Sequence, residues 1–253
     1  MPVIKVNNRD VHIQELNKGA AETVLMIHGM FSNLSVYYFN IAPILAEHFH
    51  VVMYDLKSHG MSERTLHGYD LNSMTDDLNA LMEALYLNSV HLAGYSFGGL
   101  IALKMALRFP DKVKKLVVIE APDPKDEKAR GIIDDYSREF LEHYVENFTD
   151  TTKVKMGKRQ MERNHRMYEY LFYQTSIKSD MIAEKDFLDE PQITLLNKET
   201  LLLYGADSNC LETGKELNEK IKTSELTPVP GDHNIPIQEP VLIANMINTF
   251  FMN

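Results

Sequence analysis

The chain has 253 residues, of which 44% are hydrophobic and 25% are charged, values typical of one globular domain rather than of a disordered chain. The formal net charge of -10 disfavours binding to nucleic acid or to an anionic membrane, because like charges repel. The single cysteine, Cys210, excludes a disulfide within the chain and disfavours a cysteine-based zinc site.

Apolar segments alternate with amphipathic ones, which predicts an α/β fold with a mostly parallel central sheet and flanking helices. The predicted strands are residues 11–15, 23–27, 50–54, 89–93, 113–119, 200–204 and 224–229. The predicted helices are residues 35–47, 71–86, 97–109, 211–221 and 239–250. No apolar run approaches the roughly 18 residues of a membrane span, and residues 1–16 read as alternating strand rather than as a signal peptide. We therefore expect a cytoplasmic protein without membrane insertion.

Residues 121–198 interrupt this alternation. The segment is rich in charged, aromatic and methionine residues at helical spacing. We predict that residues 1–120 and 199–253 form the core, and that residues 121–198 form a helical lid insertion. The predicted apolar faces of the lid comprise Tyr136, Phe140, Tyr144, Phe148, Met161, Met167, Tyr168, Leu171 and Phe172. A stripe of this kind is also typical of ordinary helices packed on a core.

The strongest chemical signal lies at residues 94–98, which read Gly-Tyr-Ser-Phe-Gly between a predicted strand and a predicted helix. A strand, a sharp turn and a helix form the setting of a nucleophile elbow, in which the hydroxyl of Ser96 projects at the carboxyl end of the sheet. The glycines on either side leave room for neighbouring backbone. We therefore predict Ser96 as a nucleophile, against the alternative of a glycine-rich turn without chemistry.

A serine hydroxyl needs a base to become an effective nucleophile, and His233 is the strongest candidate among the ten histidines. It lies in the segment Pro-Gly-Asp-His-Asn-Ile-Pro at residues 230–236, between the last predicted strand and the last predicted helix. A loop at that point can reach across the carboxyl edge of the sheet to Ser96. His28 and His59 also lie in glycine-containing loops, and we predict that they support the site rather than act as the base.

A tetrahedral intermediate needs two hydrogen-bond donors directed at its negative oxygen. We predict that one is the backbone N–H of Phe97, immediately after the nucleophile. The other is the N–H of Met30, in the His-Gly-Met-Phe loop at residues 28–31. The candidate substrate contacts are Phe31, Tyr95, Tyr144 and Phe172.

Four segments together resemble those of the α/β-hydrolase superfamily, and they occur in the family's order. They are the loop at residues 28–29, the segment Asp-Leu-Lys-Ser-His-Gly-Met-Ser at residues 55–62, the elbow at Ser96 and the Gly-Asp-His turn at residues 231–233. The second segment is structural in the family and usually reads D-x-R-G-H-G-x-S, so that this chain departs from it at residues 57–58. The resemblance covers nearly the whole chain outside the insertion. It implies the α/β-hydrolase fold but not the substrate, because the superfamily hosts many reactions.

The acid of the catalytic triad leaves two alternatives open. The family usually places the acid in a turn after the strand that follows the lid. Counted from Gly205, this position in the chain is occupied by Ser208, and Asp207 comes one residue earlier. Glu120 ends the strand that follows the nucleophile helix, where certain polyketide-releasing thioesterases carry their acid. A carboxylate at the end of an apolar strand also needs a partner. We therefore favour Glu120 and keep Asp207 as the alternative.

These features predict a serine hydrolase that cleaves an acyl thioester or ester through an acyl-enzyme intermediate. The position of Glu120 and the aromatic insertion favour a thioesterase for a medium, long or polyketide-like acyl chain. The alternatives are a carboxylesterase or lactonase for a small ester and a hydrolase-fold binding protein without turnover. A serine at the elbow excludes the aspartate chemistry of haloalkane dehalogenases and epoxide hydrolases. No pattern predicts a metal or a cofactor.

A cluster of basic residues in the insertion contrasts with the acidic chain. Its members are Lys153, Lys155, Lys158, Arg159, Arg163 and Arg166. Helical spacing places Lys155, Arg159 and Arg163 on one face, with Arg166 close by. A solvated helix face accounts for such a strip. The alternative is a docking site for an acyl carrier protein or for the phosphates of a coenzyme A thioester.

Overall fold

The computed structural model describes residues 2–125 and 158–253, which build an eight-stranded sheet flanked by helices. The strands are β1 (Val3–Val6), β2 (Arg9–Leu16), β3 (Thr23–Ile27), β4 (His50–Tyr54), β5 (Val90–Tyr95), β6 (Val113–Ile119), β7 (Thr200–Gly205) and β8 (Ser224–Val229). Their order across the sheet is β1-β2-β4-β3-β5-β6-β7-β8. The pairs β1–β2 and β2–β4 are antiparallel, and every other pair is parallel. The predicted fold class is confirmed.

The helices of the described residues lie on both faces of the sheet. They are α1 (Ser35–Tyr38), α2 (Ala42–Leu45), α3 (Leu71–Ala84), α4 (Phe97–Arg108), α5 (Lys158–Gln174), α6 (Ile177–Ala183), α7 (Leu211–Lys220), α8 (Ile235–Gln238) and α9 (Pro240–Met252). The single helix predicted for residues 35–47 is wrong, since α1 and α2 are separate. Pro43 lacks the N–H that would continue α1, and it stands instead in the first turn of α2. None of the described helices is both long enough and apolar enough to span a bilayer.

The inner strands β3, β4, β5 and β7 are buried on both faces, which is why they read as continuous hydrophobic runs. In β3, Leu25 and Ile27 enter the core shared with α3 and α4, whereas Val24 and Met26 enter the core shared with α2 and α9. All four side chains are fully buried. Helices on both sides of a parallel sheet require this composition.

The register of the parallel strands places the candidate site at one edge of the sheet. Ile27 of β3 pairs with Gly94 of β5, and Ile119 of β6 pairs with Tyr95 of β5. Because parallel strands end at the same edge, the loops that follow β3, β5, β6 and β8 converge there. In open α/β sheets this carboxyl edge is where ligands bind.

The predicted insertion is described only in part, because residues 126–157 lie outside the described part of the chain, including Tyr136, Phe140, Tyr144, Phe148, Lys153 and Lys155. Helices α5 and α6 agree with the predicted helical character. Tyr168, Leu171 and Phe172 of α5 are buried, and the Phe172 ring stacks on Phe31 at a centroid distance of 5.7 Å. The described end of the insertion thus packs on the loop after β3. Its role as a lid and the division at residues 120 and 199 remain predictions.

Candidate active site

Ser96 lies in the sharp turn between β5 and α4, with backbone angles φ 54° and ψ -122°. Residues with a side chain rarely adopt a positive φ, and such strain is concentrated at functional sites. The flanking glycines make the turn possible. A Cβ at Gly94 would collide with the backbone carbonyl of Gly98, and a Cβ at Gly98 would collide with the carbonyl of Ile27. The structure therefore has the predicted sharp turn between a strand and a helix, and the role of Ser96 as a nucleophile remains a prediction.

His233, in the loop between β8 and α8, bridges Ser96 and Glu120. Its Nε2 lies 3.1 Å from Ser96 Oγ, and its Nδ1 lies 3.0 Å from Glu120 Oε2. Because an ionised carboxylate only accepts hydrogen bonds, Nδ1 carries the proton and donates it, which leaves Nε2 to accept from the serine hydroxyl. A serine, a histidine and a carboxylate linked in this order are the arrangement that activates a serine as a nucleophile.

The carboxylate of Glu120 is fully buried and held by two further donors. One oxygen accepts from the backbone N–H of Gly205, and the other accepts from the hydroxyl of Ser208. Glu120 also has a positive φ of 53°, a costly conformation that its surroundings must enforce. Ser208, at the position where the family usually carries its acid, thus supports the carboxylate of Glu120 instead.

Asp207, the alternative acid, is placed away from His233. It is exposed, and among the described residues no hydrogen bond or ion pair joins its carboxylate to the imidazole. Because Ser208 turns inwards to Glu120, its neighbour faces out of the turn. The geometry therefore favours Glu120 and disagrees with the alternative.

The loop after β3 packs directly on Ser96. A Cβ at Gly29 would lie 2.9 Å from Ser96 Cβ, so that only glycine allows this approach. Phe97 is the first residue of α4, and its N–H therefore has no acceptor within the helix. In the described part of the chain, the Met30 N–H has no backbone acceptor either. Phe97 follows Ser96 in the chain and Met30 follows Gly29, and the binding of an oxyanion by their N–H groups remains a prediction.

His28 and His59 hold the loop after β3 in place. His28 donates from Nδ1 to the carbonyl of Gly29 and accepts at Nε2 from the N–H of Leu56, at 2.7 and 3.0 Å. His59 accepts at Nε2 from the N–H of Phe31, at 3.3 Å. Burial lowers the pKa of both rings, that of His59 to about 3, so that both stay neutral. These contacts fit the predicted supporting roles.

The segment at residues 55–62 is structural, as the resemblance implies. The buried carboxylate of Asp55 accepts from the N–H groups of Leu34 and Met61 and from the ring of His12. It thereby ties the loop after β4 to the loop after β3. Ser58 has a φ of 63°, which explains why the family prefers glycine at this position.

The predicted substrate contacts occupy different places. Phe31 and Phe172 stack on each other beside the loop that borders Ser96. Tyr95 instead supports the histidine loop, because its hydroxyl donates to the His233 carbonyl at 3.0 Å. Tyr144 lies outside the described residues. A role for any of them in binding a substrate remains a prediction.

Two residues beside Ser96, His233 and Glu120 were not predicted. The spacing from Gly205 already singled out Ser208, although not as a partner of Glu120. No pattern pointed to Cys210, a buried residue whose Sγ lies 3.6 Å from His233 Nδ1. The two residues are 23 positions apart, and only the packing of two separate loops brings them together.

The pKa of His233 predicts how activity depends on pH. Burial lowers this pKa, but Cys210 and Glu120 raise it by more, so that it lies above its ordinary value of 6.5. Since an imidazolium cannot accept the serine proton, we expect kcat/KM to fall with decreasing pH from a point above pH 6.5. Glu120→Gln removes the negative charge that favours the imidazolium and should move this acid limb to lower pH. Rate profiles of both proteins on one ester measure the shift, and an unmoved limb would contradict the coupling.

Comparison with known proteins identifies the family. The family model described as alpha/beta hydrolase fold matches residues 22–240. AB hydrolase superfamily protein YisY of Bacillus subtilis is 26% identical to this chain, and the aligned region covers 92% of each of the two chains. The 2-hydroxy-6-oxo-2,4-heptadienoate hydrolase of Pseudomonas putida is 26% identical to this chain, and the aligned region covers 82% of this chain and 80% of the relative. The enol-lactonase of Burkholderia xenovorans LB400 has a similar fold, with a TM-score of 0.77 at 19% identity over the full length of both chains. The chain therefore belongs to the alpha/beta hydrolase fold family and is an enzyme of that class.

Proposed function

We propose that this enzyme is a serine hydrolase that cleaves an acyl ester or thioester through an acyl-enzyme formed on Ser96. The observation that carries the proposal is the position of His233, within 3.1 Å of Ser96 Oγ and 3.0 Å of Glu120 Oε2. This position lets His233 take the serine proton, while the carboxylate stabilises the imidazolium that forms. Glu120 holds its own position through Gly205 and Ser208.

The proposed reaction proceeds in two halves. Ser96 Oγ attacks the acyl carbon, and the carbonyl oxygen, now negative, accepts from the N–H groups of Met30 and Phe97. His233 passes the serine proton to the leaving alcohol or thiol, and the acyl group stays on Ser96. A water molecule then gives its proton to His233 and attacks the acyl-enzyme, which releases the acid and restores the serine.

The finer proposal is that the leaving group is a thiol. It is supported by the place of Glu120 after β6, which resembles that of polyketide-releasing thioesterases. The rings of Phe31, Tyr168 and Phe172 pack on one another in a buried apolar cluster, a composition that suits the lining of an acyl-chain site. A carboxylesterase or lactonase for a small substrate is the second candidate. The relative from Pseudomonas putida supports only the small size of this substrate, because its name gives a heptadienoate, which has no ester bond.

A panel of substrates with one acyl group and three leaving groups distinguishes these candidates. The acyl group is presented as a coenzyme A thioester, as an acyl carrier protein thioester and as a p-nitrophenyl ester. A thioesterase should show the highest kcat/KM with one of the two thioesters. A preference for the p-nitrophenyl ester would assign the enzyme to the esterases. No turnover of any of them, at several chain lengths, would overturn the acyl hydrolase proposal.

The basic strip of α5 gives the thioester proposal a docking place for an anion. Arg159, Arg163 and Arg166 are exposed, and Lys155 lies outside the described residues. Arg163 and Arg166 line a cavity of about 570 Å³ together with Arg64, whose guanidinium group stacks on the ring of Tyr170. Ser96 is not among the residues that line this cavity. We propose that the arginines bind the phosphates of coenzyme A or the acidic surface of a carrier protein, outside the catalytic centre.

Reversal of charge on this strip should weaken the binding of an anionic substrate. For the variant Arg159→Glu/Arg163→Glu, we expect the KM of the coenzyme A or carrier thioester to rise about tenfold. This factor corresponds to the loss of at least one hydrogen bond between a charged side chain and the substrate. The KM of the neutral p-nitrophenyl ester should hardly change. Added salt should reduce the thioester effect, since exposed charges are screened over about 10 Å at 0.1 M ionic strength.

The matched control for this prediction is Lys222→Glu, which reverses another exposed basic residue outside the strip. It should leave the KM of both substrates near that of the wild type. Equal losses on the thioester and the neutral ester in the arginine variant would indicate damage to α5. An unchanged thioester KM would show that the strip is only a solvated helix face.

A further inference from the structure

The thiol of Cys210 has no part in the proposed reaction, yet it lies against the triad. Cys210 Sγ is 3.6 Å from His233 Nδ1, and the same nitrogen is 3.0 Å from Glu120 Oε2. One ligand atom from each of the three residues lies within 4.8 Å of the other two. In the part of the chain that the structure describes, no other group of three His, Cys, Asp or Glu side chains approaches this closely.

We propose that Glu120, Cys210 and His233 bind a thiophilic divalent cation of the Zn²⁺ or Cd²⁺ type, and that the bound ion switches the hydrolase off. The binding site stands on its own geometry, whereas its effect on turnover rests on the proposed function. A sulfur, a nitrogen and an oxygen are the donor set that Zn²⁺ takes in proteins.

The distances fit a tetrahedral ion. With Zn–S of about 2.3 Å and Zn–N of about 2.0 Å, the two ligand atoms of a tetrahedral site lie about 3.5 Å apart. The observed separation of Cys210 Sγ and His233 Nδ1 is 3.6 Å. The nitrogen and oxygen of such a site lie about 3.4 Å apart, against the observed 3.0 Å. For these two pairs a shift of a few tenths of an ångström admits the ion, and the sulfur and the oxygen, which lie within 4.8 Å of each other, close around it by side-chain rotation.

Charge balance and the surrounding hydrogen bonds favour the same site. A thiolate and a carboxylate neutralise a divalent cation, so that no net charge is left in a place where Glu120 is fully buried and Cys210 is nearly so. The donors from Gly205 and Ser208 fix the carboxylate from behind. Metal-binding side chains in proteins are commonly oriented by such outer partners.

The ion stops the reaction by its effect on the imidazole. Binding replaces the proton on His233 Nδ1 by the metal, and this proton moves to Nε2, while the thiol of Cys210 releases its proton to solvent. A protonated Nε2 faces Ser96 Oγ and cannot accept the serine proton. The ion also takes up the carboxylate that would stabilise the imidazolium. The metal and the acylation step therefore compete for one histidine.

Direct binding is measured without turnover, in the Ser96→Ala protein. Cd²⁺ is titrated while the ultraviolet charge-transfer absorption of a Cd–thiolate bond is followed. We expect saturation near one equivalent of Cd²⁺, and loss of the band in Ser96→Ala/Cys210→Ala. The variant Ser96→Ala/His48→Ala, which lacks an exposed histidine, should keep the band. Absence of the band in Ser96→Ala, or its persistence without Cys210, would overturn the site. This result is independent of whether the enzyme hydrolyses acyl substrates.

Inhibition is measured on the active enzyme, with each variant compared with its own metal-free rate. Zn²⁺ should inhibit the wild type, and EDTA should restore the rate. In Cys210→Ala the half-inhibiting concentration should rise at least about tenfold, since even the loss of an outer partner costs that much metal affinity. Cys210→Ser, which nearly keeps the side-chain volume, should show the same direction of change. Equal inhibition of the wild type and both variants would overturn the switch.

Discussion

Replacing Ser96 with alanine is expected to lower kcat by about five to six powers of ten on any ester or thioester that the wild type hydrolyses. Without the hydroxyl no acyl-enzyme forms, and the remaining rate comes from binding and the oxyanion donors alone. His233→Ala should lose a comparable share, because a serine without its base is a weak nucleophile. The double variant should be no slower than either single variant, since the two residues act as a unit. Steady-state kinetics on the best substrate of the panel measure all three.

Thermal unfolding of these variants is the control. Both substitutions lie at the partly exposed edge of the sheet, so that the variants should unfold cooperatively, as the wild type does. A folded Ser96→Ala protein with a rate within about tenfold of the wild type would contradict the role of Ser96.

Glu120→Gln is expected to lower kcat/KM by about three to four powers of ten, whereas Asp207→Asn should have little effect. The amide of a glutamine supports the wrong tautomer of His233 and cannot stabilise an imidazolium. Asp207 is exposed and makes no contact with the ring among the described residues. Kinetics of the two nearly isosteric variants on one substrate give the ranking.

Glu120 also accepts from Gly205 and Ser208, so that Glu120→Gln changes the packing of a turn as well as the triad. Its rate is therefore measured well below its unfolding temperature. Ser208→Ala is the matched control, because it removes one donor to the carboxylate and leaves the carboxylate in place. It should lose far less activity than Glu120→Gln. The reverse order of Glu120→Gln and Asp207→Asn would transfer the role of the acid to Asp207.

Much of the fold follows from local patterns in the sequence. Strands β3, β4, β6 and β8 have the predicted bounds, and the ends of the other predicted strands differ by at most two residues. The separate strand β1 was not predicted. Asn7 and Asn8, at φ 50° and 63°, form the tight connection between β1 and β2, and positive φ at both central residues is typical of a type I′ turn. The Asn-Asn pair was the available signal.

The members of the site differ in how far the sequence reveals them. Ser96 and His233 were predicted, because each lies in a turn whose place between a strand and a helix can be read locally. Glu120 could be ranked above Asp207 but not assigned, since its neighbour Ser208 becomes its partner only when β6 and β7 lie side by side. Cys210 could not be predicted, because its contact with His233 depends on the packing of two loops.

The account is tested most directly by mass spectrometry of the protein after reaction with a fluorophosphonate, which phosphorylates activated serines. We predict one adduct on the wild type, located by peptide mapping on Ser96, and none on Ser96→Ala. Labelling of His233→Ala should be much slower, because the serine has then lost its base. An adduct at a different residue, or equal labelling of the wild type and Ser96→Ala, would contradict the claim that Ser96 is the nucleophile of this hydrolase.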